Sequence, residues 1–187
     1  MTETIISICL GIGLAASVGF RVFLPLFVLS LASYFEVWEL NASWLWIGSL
    51  TAVITFGVAT LIEILAYYIP FVDNLLDTIA IPLATIAGTA VMVSTVADLN
   101  PVISWALAII AGGGTAAAIK STATASRATS TISTAGFGNP LISTVETGAS
   151  LIISIFSIFL PIFAFVLVVL ILIVIFKLYK KFKQSNP

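Results

Sequence analysis

Five long apolar runs dominate this sequence, at residues 5–35, 44–69, 75–97, 101–119 and 149–176. A helix needs roughly 20 apolar residues to cross a bilayer, because each residue adds about 1.5 Å to its length. The runs are continuous and lack the alternation of apolar and polar residues that a membrane β-barrel strand shows. They therefore predict an all-α, polytopic bundle of transmembrane helices.

The composition excludes a soluble globular protein. Only 8% of the 187 residues are charged and 60% are hydrophobic, whereas soluble domains carry roughly 25% charged residues. We expect one transmembrane domain over residues 1–187, with the lipid bilayer as its solvent. The single cysteine excludes an internal disulfide, and the lack of histidine removes the commonest general base and metal ligand.

Four prolines predict where helices break. Proline has no amide hydrogen and fits only the first turn of a helix without disrupting it. The predicted breaks lie at Pro25, Pro70, Pro140 and Pro161, and Pro82 is a fifth candidate. We expect about five spans, or six if the runs that contain Pro25 and Pro161 are broken helices.

Basic residues near the C-terminus set the predicted orientation. Four lysines in residues 177–183 begin the tail 177–187, and such clusters remain on the cytoplasmic side. Five spans would then place the N-terminus outside and the loops 36–43 and 98–100 inside. The same topology places the turn 70–74 and the segment 120–148 outside.

The segment 120–148 is rich in serine and threonine, which is typical of a flexible linker. A second pattern favours a helix. Small residues recur every four positions, at Ala118, Thr122, Ser126 and Ser130, and such stripes let membrane helices approach closely. We favour a helix that packs against its neighbours or lines a polar cavity.

Two ten-residue stretches are similar, DNLLDTIAIP at 73–82 and NPLISTVETG at 139–148. Each follows a short break and begins with a residue favoured at helix N-caps. The similarity suggests a duplicated helical hairpin, with halves at 44–97 and 101–176, although apolar sequences also match one another by chance. Internal repeats with a binding site at their interface are common in transporters.

Seven ionisable residues lie within or beside the apolar runs. They are Arg21, Glu63, Asp73, Asp77, Lys120, Arg127 and Glu146. Because an arginine at the centre of a membrane helix costs at least ~2.5–3.5 kcal/mol, we expect these charges to have partners. Glu63 is the natural candidate partner of Arg21. Together the seven residues predict a polar cavity or pathway open to the outer face.

Each charge also fits a purely structural role. Arg21 and Glu63 fit an ion pair that fixes the register of two helices. Asp73 and Asn139 fit helix N-caps, and the long side chains of Lys120 and Arg127 fit contacts with lipid headgroups. The four buried carboxylates could hold a cation through oxygen ligands only if they converge.

Three motifs carry a family resemblance: GFRVFLPLF (19–27), E-x-x-x-Y-x-I-P-x-V-D-N-x-L-D (63–77), and a K-S-x-x-x-x-S-R-A run that leads to GFGNPLISTVE (136–146). The sequence resembles a family of small bacterial membrane proteins known as domain of unknown function 4126. The resemblance covers the chain up to about residue 163 and implies a fold without a substrate. It marks as site positions Arg21, Glu63, Asp73, Asp77, Lys120, Arg127, Asn139, Ser143 and Glu146. The family pattern implies an acidic residue after Glu146, where this chain has Thr147.

From these features we expect a bacterial inner-membrane protein that transports or conducts a small polar or ionic solute, or one that binds a lipid headgroup. The alternative is a structural or assembly subunit with closed intramembrane ion pairs. Small-residue faces are compatible with a homo-oligomer. We expect no enzymatic activity, cofactor, metal or nucleic-acid partner, because the sequence shows none of the motifs that these require.

Overall fold

The computed structural model describes residues 2–97 and 99–185, so Asp98 of the predicted loop 98–100 lies outside the described residues. The described residues form eight α-helices and no strand, which confirms the all-α prediction. The helices are α1 (Thr2–Phe20), α2 (Phe23–Tyr34), α3 (Leu50–Ala66), α4 (Pro70–Thr95), α5 (Pro101–Leu107), α6 (Gly114–Thr134), α7 (Asn139–Phe159) and α8 (Pro161–Ser185). A 3₁₀ segment (Ala42–Gly48) precedes α3, and a π-helical segment (Ala108–Gly113) joins α5 to α6.

Four helical stretches are long and apolar enough to cross a membrane, which agrees with the prediction of about five spans. They are Thr2–Phe20, Leu75–Thr95, Pro101–Thr134 and Asn139–Phe159. A fifth span forms if the 3₁₀ segment and α3, which meet at a 63° bend, count as one. Two shorter apolar helices, Phe23–Tyr34 and Pro161–Lys177, complete the bundle.

The predicted proline breaks coincide with helix starts. Pro70 and Pro161 are the first residues of α4 and α8, Pro140 is the second residue of α7, and Pro25 is the third residue of α2. At these positions the missing amide hydrogen breaks no bond inside the helix. The first and last apolar runs are therefore each two helices. Pro82 lies inside α4, which continues through it, so the break considered there does not occur.

The N-terminus and the loop 36–43 lie at the same end of the bundle, so the prediction that they lie on opposite sides is wrong. Glu3 and Ser7 line a cavity of about 670 Å³ together with residues 37–42. The backbone amide of Ala97 donates a hydrogen bond to the Ser7 hydroxyl at the same end. The observed topology differs from the predicted five-span topology because the chain reverses direction between α1 and α2. The continuous apolar run 5–35 gives no sign of this reversal.

The C-terminal helix ends at the opposite end of the bundle from the loop 36–43, whereas the prediction placed the C-terminal lysines on the same side as that loop. Ala164, near the start of α8, lies beside Gly13, whereas Ile175 near its end lines a groove with Leu141 and Phe20. Helix α8 therefore runs antiparallel to α7, after the break at Leu160. Its lysine end lies on the side of the turns at 67–69 and 135–138, which the five-span topology placed opposite. Residues 186 and 187 of the predicted tail lie outside the described residues.

Helix α1 is the central helix and packs against α4, α6, α7 and α8. Its glycines allow the close approach. A Cβ atom on Gly11, Gly13 or Gly19 would lie 2.3 to 2.6 Å from an atom of Met92, Ser157 or Ile119. Lipid tails are as apolar as the helices, so no hydrophobic driving force brings membrane helices together. Small residues at such crossings let the helices pack closely, and this packing stabilises their association.

Residues 120–134 belong to α6 and residues 139–148 to α7, so the helix prediction is confirmed and a loose linker is excluded for both stretches. The buried face of α6 carries Lys120, Ala123 and Arg127. Thr122 and Ser126 of the predicted small-residue stripe are exposed and line a groove. The small-residue stripe therefore borders this groove at Thr122 and Ser126.

Candidate functional site: an intramembrane charge cluster

The structure brings all the sequence-predicted site residues together, where α1 and α3 end, α4 and α7 begin, and α6 passes by. We call this set, with Tyr67, the charge cluster. Its members are Arg21, Glu63, Tyr67, Asp73, Asp77, Lys120, Arg127, Asn139, Ser143 and Glu146. Apart from Asp77, which is half-buried, their exposed fractions lie between 0% and 8%. The cluster lies toward the end of the bundle that carries the C-terminal lysines, and not toward the end that holds the N-terminus.

Glu63 holds the break between α1 and α2. One oxygen of its carboxylate accepts a hydrogen bond from the backbone amide of Val22 at 2.8 Å, and the other accepts one from Phe23 at 3.0 Å. These amides begin α2 and have no helical partner of their own. In lipid such groups must be satisfied by the protein itself, and Glu63 performs that role from another helix.

Arg21 extends toward α7, so the predicted Arg21–Glu63 ion pair does not form. Its Nε donates to the Thr147 hydroxyl at 3.0 Å, and its Nη2 donates to the Ser143 carbonyl at 2.9 Å. Its ion-pair partner is Glu146, whose Oε2 lies 3.9 Å from Nη2. Glu63 is occupied by the backbone amides, and α7 supplies the partners of the guanidinium instead.

Arg127 joins three helices through a closed set of ion pairs. It donates from Nη1 to Asp73 of α4, and from Nε and Nη2 to the two carboxylate oxygens of Glu146 of α7. Bidentate pairs of this kind are the strongest geometry available to a guanidinium. Arg127 is 1% exposed, so loss of any one partner would leave a charge buried without compensation.

Asp73 and Asn139 bind each other and do not act as helix N-caps, contrary to the prediction. The Asn139 side-chain amide donates to the second carboxylate oxygen of Asp73 at 3.0 Å and to the Thr131 hydroxyl at 3.1 Å. Asp73 forms no N-cap bond because a buried guanidinium binds a buried carboxylate more strongly than the backbone amide at a helix start does. Asp73 and Asn139, which occupy aligned positions of the two similar stretches, thus meet in space. The duplication itself stays a prediction.

Tyr67 lies at the centre of the three cations. The guanidinium carbons of Arg21 and Arg127 are 4.1 and 4.3 Å from the centre of its ring. Its hydroxyl accepts a hydrogen bond from Lys120 Nζ at 3.0 Å. An aromatic ring attracts cations through its negative face, and the attraction grows when water is excluded. Tyr67 thereby lets three positive charges share one buried region.

Two opposite charges in the cluster lack an ion-pair partner among the described residues. The ammonium of Lys120 has the Tyr67 hydroxyl as its hydrogen-bond partner, and no carboxylate of residues 2–97 or 99–185 lies within 4.0 Å of it. Oδ1 of Asp77 is buried and accepts no hydrogen bond. Nη1 of Arg21 and Oδ1 of Asn139 are likewise buried without a partner. The cluster therefore combines a closed part around Arg127 with an open part around Lys120 and Asp77.

Serines connect α1 to α7 beyond the cluster. The Ser17 hydroxyl lies 2.6 Å from the Ser150 carbonyl and 2.6 Å from the Ser154 hydroxyl, while the Ser150 hydroxyl donates to the Ser17 carbonyl at 3.1 Å. All three side chains are buried. Hydrogen bonds between membrane helices have few competitors, so this network fixes the register of α7 and hence the position of Ser143 and Glu146.

Two grooves reach the cluster from different sides. A groove of about 230 Å³ between α3 and α4 is apolar except for Glu63 and Tyr67 on its wall. A second groove, of about 370 Å³ between α6, α7 and α8, has Thr122, Ser126 and Glu146 on its wall. Solutes or lipid chains in these grooves would touch the cluster directly.

The sequence model of the family described as "Domain of unknown function (DUF4126)" matches residues 8–181 of this chain. The chain belongs to the DUF4126 family. We found no match to it among curated proteins or among solved structures. Membership confirms the resemblance seen in the sequence and extends it through most of α8, while the family description names no activity.

The charge cluster of this DUF4126 protein does not assemble a cation site from its carboxylates. Within residues 2–97 and 99–185, no three histidine, cysteine, aspartate or glutamate side chains are placed to hold a metal ion. Asp73 and Glu146 both bind the Arg127 guanidinium, and Glu63 binds the backbone amides of Val22 and Phe23, so these carboxylate oxygens already have donors from the protein. The possibility of a convergent oxygen site is therefore not realised.

Sequence reasoning missed Tyr67 of the DUF4126 cluster and Thr147, whose hydroxyl accepts a hydrogen bond from Arg21 of the cluster. Both carried a signal. Tyr67 follows Glu63 by four positions, so the two share a helix face, and Thr147 follows Ser143 in the same way. Tyrosine and threonine are common at membrane interfaces and in membrane helices, however, and spacing alone does not separate a cluster member from a lipid-facing residue.

Proposed function

We propose that this DUF4126 protein is a transporter or channel that carries a small polar or ionic solute through the charge cluster. The observation that carries the proposal is the unpartnered state of Arg21 Nη1 and Asp77 Oδ1 among the described residues. A buried polar atom without a partner costs about 1–3 kcal/mol, and more if it is charged. A solute with donors and acceptors would provide the missing partners.

The surroundings of the cluster support access for such a solute. The grooves between α3 and α4 and between α6, α7 and α8 bring open space to Glu63 and Glu146. The break at Arg21 and Val22 also fits this function, because transporters often build their sites from interrupted helices. We place the protein in the bacterial inner membrane with its C-terminal lysines in the cytoplasm, so the cluster would lie nearer the cytoplasmic side.

The closed part of the cluster favours a second candidate, a structural or assembly subunit. Arg127 satisfies Asp73 and Glu146 together, and Glu63 satisfies two backbone amides. Such contacts join α6 to α4 and α7, and join α3 to the start of α2. In this reading the charges hold the fold, and a partner protein would bind elsewhere.

Flux through purified protein in proteoliposomes tests the proposal. We would measure the movement of protons, common ions and phosphate-bearing anions for the wild type, for Asp77→Asn and for Glu39→Gln. Asp77 belongs to the open part of the cluster, and Glu39 is an exposed acid in the loop after α2, so the two variants replace an acid by its amide in different places. Both should fold, which a thermal unfolding curve in detergent checks.

Transport predicts flux in the wild type, unchanged flux in Glu39→Gln and at least a tenfold loss in Asp77→Asn. Absence of flux from folded wild-type protein under every gradient would favour the assembly subunit. Equal flux in all three proteins would show that the pathway avoids Asp77.

A further inference from the structure

The charge cluster contains more acids than bases. Its cations are Arg21, Lys120 and Arg127, and it has four carboxylates. A charge without compensation in an apolar interior is so costly that the group instead becomes neutral by binding or losing a proton. One negative charge of the cluster therefore needs a balancing positive charge.

Three of the four carboxylates already have strong donors. Glu63 accepts from two backbone amides, Asp73 accepts from Arg127 and Asn139, and Glu146 accepts from two nitrogens of Arg127. Each of these contacts stabilises the ionised form of the acid. Asp77 differs, because its Oδ1 is buried and accepts no hydrogen bond from the described residues.

Among the described residues, neither cation that acts on Asp77 forms an ion pair with it. The cations Arg127 and Lys120 of α6 act on it, but Arg127 is bound to two other carboxylates and Lys120 to the Tyr67 hydroxyl. Asp73 on the same helix and Glu146 on α7 add negative charge. Arg21, Glu63 and Tyr67 complete the ionisable groups of the cluster on the remaining elements.

We propose that Asp77 is a proton-binding site of the charge cluster, occupied at neutral pH. A proton from water forms an O–H bond at Oδ1, which leaves three cations and three carboxylates in the cluster. Release of the proton restores the carboxylate beside Lys120 and Arg127. This inference deepens the transport proposal and rests on it for the role of the proton as the transported or coupling ion.

Infrared spectroscopy of the protein in liposomes tests the site without a transport assay. A protonated carboxyl group has a C=O stretching band that a carboxylate lacks. We expect this band at neutral pH, its loss as the pH is raised, and its shift when all aspartates are labelled with ¹³C. The chain has three aspartates, Asp73, Asp77 and Asp98, so the label separates them from the glutamates.

Two variants assign the band to one residue. Asp77→Asn should abolish it, whereas Asp73→Asn, which removes an acid one turn away on the same helix, should retain it. Lys120→Met removes a positive charge from the neighbourhood of Asp77 and should keep the band present to higher pH. If a variant fails to fold, the isotope label on the wild type still shows whether the band belongs to an aspartate.

The inference is overturned if the folded wild type lacks the band at neutral pH, if the aspartate label does not shift it, or if it persists in Asp77→Asn. A band with these properties in a protein that conducts no proton and no other solute would sustain the proton site. That combination would overturn the transport proposal alone.

Discussion

The carboxylate of Glu63 accepts a hydrogen bond from the backbone amide of Val22 at 2.8 Å, across 41 positions of sequence. The same carboxylate binds the amide of Phe23, so one side chain satisfies both amides at a helix break. A membrane protein can interrupt a helix in lipid only where another part of the protein completes its hydrogen bonds. The break beside Arg21 therefore depends on a residue of a different helix.

Removal of the Glu63 carboxylate should destabilise the fold, because it leaves two backbone amides without a hydrogen-bond acceptor. We expect Glu63→Ala to lower the free energy of unfolding by about 2–6 kcal/mol, since each bare amide costs about 1–3 kcal/mol. Glu63→Gln keeps one acceptor oxygen and should lose roughly half as much. Unfolding in mixed detergent micelles measures both, with Glu39→Ala as an exposed control. Equal stability of Glu63→Ala and the wild type would show that the break does not need the carboxylate.

The ring and the hydroxyl of Tyr67 should contribute separately. Tyr67→Phe keeps the ring beside Arg21 and Arg127 but leaves Lys120 Nζ without its acceptor, and should cost about 1–3 kcal/mol. Tyr67→Leu also removes the attraction between the ring and the cations, at about 0.5–2 kcal/mol for each. Thermal unfolding of the two variants under the same conditions separates the terms. If Tyr67→Leu is no less stable than Tyr67→Phe, the ring does not bind the cations.

Two neighbouring glycines should respond to alanine in opposite ways. A Cβ atom on Gly112 would lie 2.6 Å from the carbonyl oxygen of Gly88, whereas a Cβ atom on Gly114 would meet nothing within 4 Å. Gly112→Ala should therefore destabilise the protein by about 1–3 kcal/mol through overpacking. Gly114→Ala should stabilise it by up to about 1 kcal/mol through helix propensity. Similar shifts of the two unfolding midpoints would contradict the close crossing of α4 and the π-helical segment.

Single cysteines should report the chain reversals. In a Cys9→Ser background, we expect Glu3→Cys and Glu39→Cys to react with a membrane-impermeant maleimide from the same side of oriented vesicles. Phe137→Cys and Lys180→Cys should react from the other side, because α8 runs back toward the turn before α7. All four native residues are exposed. Labelling of Glu3→Cys and Glu39→Cys from opposite sides would instead support the simple five-span topology.

The charged residues that meet in the cluster could be singled out from the sequence, but Tyr67 and the pairing of the charges could not. Charges in apolar sequence stand out because lipid penalises them wherever they lie. The choice of partner depends on which helix faces meet. Arg21 binds α7 rather than Glu63, and Asp73 binds Arg127 and Asn139 rather than the start of its own helix. Those contacts join positions far apart in the chain, where local spacing carries no information.

The all-α membrane class, the helix breaks beside prolines, the family and the charged members of the cluster can be read from the sequence. The class, the breaks and the charges follow from local chemistry: apolar length, a missing amide hydrogen, or an ionisable group in a hydrophobic run. The reversals in the first and last runs, and the position of Tyr67 among three cations, come from tertiary contacts. These features depend on contacts between distant helices, which minimise the number of buried charges and amides without a partner.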